Sequence, residues 1–384
     1  MKYFLVTGEA SGDLHASNLV HAISKLDPQA EFMYTGGEAL AQATGCAPLI
    51  HYKEMAYMGY WDVLCHLRKI RSIAVKTQSA MLEFAPDVVI PVDYGGFNLK
   101  YILPFAKRHG FCVAYYIVPK VWAWRRNRIK RLTRYTDIGL SILPFEPDFF
   151  APYSLPITFV GNPCVDALAP YLSAPPANKK SLGLDPNDKR DIVAILAGSR
   201  RQELRENLPL MLEVSEKYPD YHFVLAGAPG LCMEDYIPYL EKKKNLSLIF
   251  EHTYELLGVA RAALVTSGTA SLETALLGCP QVVCYRFIGL RLANWIFDRL
   301  FPIRFFSLVN LVMDRSVVTE LLAADCTTDR IAKELNAILY EGPSREKQLF
   351  EYKELSKFIG PAGCSNRAAQ IILETARRHR TGRL

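Results

Sequence analysis

The chain has 384 residues, 50% of them hydrophobic, and its 45 Lys and Arg against 39 Asp and Glu give a formal charge of +6. That length supports about two ordered domains with sizeable cores, and so mild a basic excess, with no groove-reading motif, excludes nucleic acid as an expected partner while allowing an anionic ligand or surface. The nine cysteines, at 46, 65, 112, 164, 232, 279, 284, 326 and 364, are odd in number, scattered and never spaced C-x-x-C, so neither a disulfide framework nor a zinc site is indicated and a reducing cytoplasm fits.

The first residues read directly as a strand, without a leader pattern, and no uncharged apolar run reaches the ~20 residues of a membrane span. In chain order, β-branched runs alternate with amphipathic stretches, the pattern of a parallel sheet covered by helices on both faces. The runs predict strands at 3–7, 31–35, 87–92, 111–118, 137–143 and 157–160. Residues 169–190, with Pro170, Pro175, Pro176 and Pro186 among Asn, Lys and Asp, lack apolar period and read as a linker. Strands resume at 192–196, 222–226, 246–250, 262–266 and 281–285. The fold class is therefore α/β, with two Rossmann-like doubly wound domains, 1–168 and 191–350, facing across a cleft; ligands are expected beyond the carboxyl ends of the strands.

Three turns of the first domain carry polar residues. The turn at 7–13, with Gly8, Ser11, Gly12 and Asp13, lacks both the dinucleotide and the P-loop spacing, so it is either a capped helix entry or a ligand contact. Asp93 ends a wholly apolar strand, where partial burial would raise its pKa and suit it to take a proton from a hydroxyl; an Asp at a strand end is also an ordinary turn residue, the reading that its position alone favours. Trp122 and Trp124 stand beside Arg125 and Arg126, either as aromatic platforms or as core residues under a surface turn. In the second domain, Gly198, Ser199 and Arg200 join strand to helix, and Arg200 can fork two hydrogen bonds onto a diphosphate. At 262–286 a strand runs into Ser267, Gly268 and Thr269 as a helix opens, an arrangement whose free amides and dipole favour a phosphate. Glu273, one turn on, can accept from a sugar hydroxyl; the plain alternative is a capped helix with an acid at its start. No H-E-x-x-H, G-x-S-x-G or D-x-D occurs, which argues against a zincin, an α/β-hydrolase serine and an aspartate-clamped metal.

Taken together and in order, Ser11-Gly12-Asp13, Met58-Gly59, Asp93 with Phe97-Asn98, Trp122-Ala123-Trp124-Arg125, Leu143-Pro144-Phe145-Glu146, Val160-Gly161-Asn162-Pro163, Gly198-Ser199-Arg200, the 267–273 turn and Glu320-Leu321-Leu322 resemble the lipid-A-disaccharide synthase family, over about residues 3–375. The resemblance implies an inverting, metal-independent GT-B glycosyltransferase without a cofactor, joining UDP-2,3-diacylglucosamine to 2,3-diacylglucosamine 1-phosphate to give the β-1,6 disaccharide and UDP. It implies Asp93 as the base. The UDP donor would be held by Ser199, Arg200, Ser267, Gly268, Thr269, Ala270, Ser271, Glu273, Tyr285 and Asn310, and the acceptor side formed by Ser11, Gly12, Asp13, Asn98 and Trp122. A last helix, about 366–379, would pack back on the first domain. Tyr94-Gly95-Gly96 stands where the family usually has a second acid and a proline, Ala197 replaces a usual proline, Asn162 a usual histidine, and Thr319 and Ala323 flank Glu320-Leu321-Leu322 in place of Pro and Gln.

Two other readings use the same residues: another UDP-sugar enzyme of this fold, such as a UDP-N-acetylglucosamine 2-epimerase, and a non-catalytic UDP-sugar-binding protein. Acylated substrates imply a cytoplasmic protein that touches the inner-membrane surface, through the apolar and basic stretches 63–71 or 291–306. A homodimer stays open.

Overall fold

The structure, a computed structural model, describes residues 1–55, 66–122, 126–240, 245–266, 268–286 and 304–382. It divides into two compact units, residues 1–163 with 362–384, and residues 164–361.

In the first unit the sheet order is β3-β2-β1-β4-β5-β6-β7, all parallel, from β1 (Lys2–Val6), β2 (Glu31–Gly36), β3 (Ile50–His51), β4 (Val88–Pro91), β5 (Cys112–Tyr116), β6 (Ile138–Ser141) and β7 (Ile157–Phe159). The chain reverses direction across the sheet between β1 and β4, which opens the carboxyl edge to a ligand. Strands that are covered on both faces must be apolar throughout, and alternate residues divide accordingly. Tyr3, Leu5, Ile90, Ala114 and Tyr116 face the helices Ala10–Leu26 and Cys364–Arg380, whose Ala368, Ile372 and Ala376 are buried there. Phe4, Val6, Val89, Val113 and Tyr115 face the opposite core, with Ile73, Met81, Ile102 and Ala106.

The second unit repeats the plan in the order β10-β9-β8-β11-β12-β13, from β8 (Ile192–Leu196), β9 (His222–Gly227), β10 (Leu246–Phe250), β11 (Ala262–Val265), β12 (Gln281–Tyr285) and β13 (Thr319–Leu322), again all parallel. Val193, Ile195, Phe223, Leu225 and Leu264 pack against the helices Arg201–Glu216 and Thr328–Leu339. Ala194, Val224, Ala263 and Val265 pack on the other face, with Leu256 and Leu257.

All eleven strands expected from sequence are found, and β3 and β13 are additional. Residues 169–190 lie within the second unit instead of outside both; Leu182 and Leu184 are buried in its core, and Asp188, paired with Lys179 and Arg190, meets His222 Nδ1 at 3.0 Å at the start of β9.

Candidate active site

At the carboxyl edge of the first sheet, three turns close on one another. Gly8, after β1, lies under the Tyr94 ring, where an added Cβ would stand 2.4 Å from the ring. Gly95 in turn admits the loop that follows β5, since a Cβ there would stand 2.7 Å from Pro119. Gly95 therefore has a packing reason in this chain, whereas a Cβ added at Gly96 would meet nothing within 4 Å.

Asp93 and Tyr94 sit in the left-handed region, with φ of 43° and 47°. A non-glycine residue pays of order 1–3 kcal/mol for such a conformation and keeps it only when its surroundings enforce it. Three hydrogen bonds do so at Asp93. Its amide donates to the Tyr116 carbonyl at 3.1 Å, and its carbonyl accepts from the Tyr115 hydroxyl at 2.6 Å and from Asn98 Nδ2 at 2.9 Å. The residue is exposed, yet protein crowds the carboxyl group enough that desolvation raises its pKa above the ordinary carboxylate value, against the pull of Lys120 and of the Tyr94 amide. A carboxylate with a raised pKa, on an exposed residue whose backbone is fixed, can accept a proton from a hydroxyl near neutral pH.

The acceptor-side candidates separate. Ser11 is exposed and Gly12 buried at the entry of the first long helix. Asp13 is 3% exposed, and its carboxylate accepts from the Gly37 and Ala39 amides at 2.6 and 2.9 Å, so it caps the helix Glu38–Thr44 and has no face toward a ligand. Asn98 is fully buried beneath Asp93 and positions it; an acceptor cannot reach its amide. Trp122 is half-exposed, and its indole N–H donates to Glu146 at 2.9 Å. Sequence reasoning named neither Lys120 nor Tyr115 nor Glu146 as a site residue. The signal for Tyr115 was its place near the end of a predicted strand, and that for Glu146 was its place in the Leu143-Pro144-Phe145-Glu146 motif, which carries no role by itself.

In the second unit, Gly198 has φ 111° and leads into the helix Arg201–Glu216. Glu203 reaches back, accepting from the Ser199 amide at 2.9 Å and from Arg200 Nη1 at 3.3 Å, while the Arg200 side chain remains half-exposed. Tyr285, at the end of β12, stands close enough for Glu203 and Arg200 to act on its hydroxyl, whose pKa burial raises. The second turn opens the helix Thr269–Leu276, with Gly268 (φ 150°) and Thr269 exposed and Ala270 half-buried. Ser271 is fully buried, and its hydroxyl donates to the Gly268 carbonyl at 2.8 Å, so it braces the turn without facing a ligand. Glu273 is half-buried and accepts from the Tyr254 hydroxyl at 2.9 Å; desolvation raises its pKa and that bond opposes the rise.

Asn310 corrects the sequence reading most clearly. It is 1% exposed, Nδ2 donates to the Val318 carbonyl at 2.9 Å and to Glu320 at 2.8 Å, and Oδ1 accepts from the Val317 and Val318 amides at 2.8 and 3.0 Å. Two donors and two lone pairs are all an amide has, so the side chain has no capacity left for a nucleotide. Ser267, Ala123, Trp124, Arg125, Met58, Gly59, residues 63–65 and residues 291–303 lie outside the described residues. Of the second apolar stretch, Phe305 is 9% exposed beneath the Arg304 guanidinium, while Arg304 is itself exposed and Phe306 half-buried.

Two doubly wound parallel sheets, each with its candidate residues at the carboxyl edge, are the architecture of the GT-B fold. Solved structures agree at the level of fold: UDP-GlcNAc 2-epimerase from Neisseria meningitidis bound to UDP-GlcNAc has a TM-score of 0.60 at 15% identity, covering 98% of this chain and 100% of that one. The calicheamicin glycosyltransferase CalG4 gives 0.61 at 15%, covering 98% of each chain. The lipid-A-disaccharide synthetase family profile matches residues 3–374. The lipid-A-disaccharide synthases of Geobacter sulfurreducens and Myxococcus xanthus are 35% and 36% identical over 378 residues, in each case 97% of both chains. The chain therefore belongs to the lipid-A-disaccharide synthase family, hexosyltransferases of lipid A biosynthesis.

Proposed function

We propose that the enzyme joins UDP-2,3-diacylglucosamine to 2,3-diacylglucosamine 1-phosphate in one inverting displacement. Asp93 takes the proton of the acceptor 6-hydroxyl as its oxygen bonds to the donor's anomeric carbon, and the bond from that carbon to the β-phosphate oxygen breaks, its electron pair leaving with UDP. Arg200 and the amides at the start of the helix Thr269–Leu276 meet the charge on the departing diphosphate, and Glu273 accepts from a sugar hydroxyl of the nucleotide. Neither step calls for a metal. The observation that carries this reading is the exposed Asp93 on a backbone held by Tyr115, Asn98 and Tyr116.

Both substrates keep their acyl chains, so the enzyme works at the inner-membrane surface. Arg68, Lys69 and Arg71 on the helix Leu67–Phe84, beside an exposed Leu67, supply attraction to anionic lipid. Among the described residues no helix is long and apolar enough to cross a membrane. Incubating the protein with both diacylated sugars and assaying for the disaccharide and UDP tests the reading: one disaccharide per UDP supports it, and UDP-sugar epimerisation without a disaccharide refutes it.

A further inference from the structure

Glu146 takes no part in the reaction above, yet its surroundings are unusual for an acid. It opens the helix Glu146–Phe150 after β6, where a carboxylate ordinarily faces water, and it is only 1% exposed. Three donors converge on it. Oε2 accepts from the Ser141 hydroxyl at 2.6 Å and the Leu143 amide at 3.3 Å, and Oε1 accepts from Trp122 Nε1 at 2.9 Å. Burial raises its pKa, and the same donors, with Lys120, oppose the rise. A neutral side chain of the same shape cannot serve all three donors: in glutamine, the amide NH2 faces the Leu143 N–H if its oxygen stays on Trp122, and faces the Trp122 N–H if its oxygen turns to Leu143.

The effect falls on Trp122. Its indole N–H is tied to Glu146, and the Phe145 ring meets it edge-on at 5.0 Å and 79°, so the ring plane is fixed while part of it stays exposed. Trp122 follows β5 and Asp93 follows β4, which are neighbours in the sheet. We propose that Glu146 is a positioning residue: it holds Trp122 so that the exposed part of the indole forms a platform for the apolar face of the acceptor sugar, and Glu146 itself never touches substrate. The proposal rests on the acceptor reading given above.

Initial-rate kinetics with both diacylated sugars, on wild type, Glu146→Gln, Trp122→Phe and the double variant, test it. Each single change raises acceptor KM about tenfold, leaves donor KM within about twofold, and the double variant is no worse than Trp122→Phe, because the two act through one contact. Ser141→Ala removes a different donor from Glu146, and it lowers the thermal midpoint without raising acceptor KM. An unchanged acceptor KM in Glu146→Gln, a double variant showing the product of the single effects, or a Ser141→Ala variant matching Glu146→Gln in acceptor KM overturns the proposal. A wild type that forms no disaccharide brings down the function reading and this one with it; an active wild type with any of those three outcomes brings down this one alone.

Discussion

Asn310→Ala separates a structural amide from a nucleotide contact. The substitution removes two donors and an acceptor that take up four hydrogen bonds in a site 1% exposed. Glu320 keeps the Phe306 and Ser307 amides and the Ser307 hydroxyl, so it stays paired. The Val318 carbonyl and the Val317 and Val318 amides lose the Asn310 partner. At about 1–3 kcal/mol for each buried group left unpaired, reduced where water enters the space vacated by the amide, the loss is about 3–5 kcal/mol. The helix Leu308–Met313 and the start of β13 would loosen together, because Asn310 ties one to the other. Urea denaturation followed by circular dichroism reads the stability, and UDP titration at a temperature where the variant is folded reads the affinity. The account predicts a large loss of stability and a UDP affinity within about threefold of wild type. A variant of normal stability that no longer binds UDP would refute the reasoning and return Asn310 to the donor site.

Three further outcomes follow from the same geometry. Because Asp93 works as a base only when ionised and its pKa is raised, the acid limb of the kcat/KM profile lies above the ordinary carboxylate range; Lys120→Met removes the cation that opposes the rise and moves the limb to still higher pH, and an unmoved limb contradicts the assignment. Arg200→Ala weakens UDP binding by about 1.5–3 kcal/mol by calorimetry, the range for hydrogen bonds to a charged group, and an unchanged Kd rules Arg200 out as a diphosphate ligand. Arg190 and Lys179 hold the Asp188 carboxyl well below its usual range, so its contribution to stability is present above the unfolded value of about 4 and is lost as the pH falls toward the folded one. The gap in thermal midpoint between wild type and Asp188→Asn therefore narrows from pH 7 to pH 3; a constant gap contradicts that linkage.

Strands were legible because a doubly covered parallel strand has to be apolar at every position, and segments such as Ile192–Leu196 satisfy that over their whole length. β3 has two residues and β13 mixes Thr319 and Glu320 with two leucines, so neither carries the signal. The site was legible as positions and less so as roles. Asp13, Asn98, Ser271 and Asn310 each stand in a turn or helix start where a ligand contact and a structural bond look alike in sequence. What separates them is where their hydrogen bonds go, and those partners lie up to 26 residues away for Asp13 and 10 for Asn310. Glu146 was the reverse case. An acid before a proline at a helix start reads as a dipole complement, and nothing local announces a bond to an indole 24 residues earlier.

The most direct test of the account is turnover and UDP affinity measured on Asp93→Asn. The substitution keeps the backbone groups that Tyr115, Asn98 and Tyr116 hold and removes only the proton acceptor. The account predicts that turnover falls by about two to four orders of magnitude, while the thermal midpoint does not drop and UDP affinity stays within about twofold of wild type. Near-normal turnover in that variant would contradict it and place the base elsewhere.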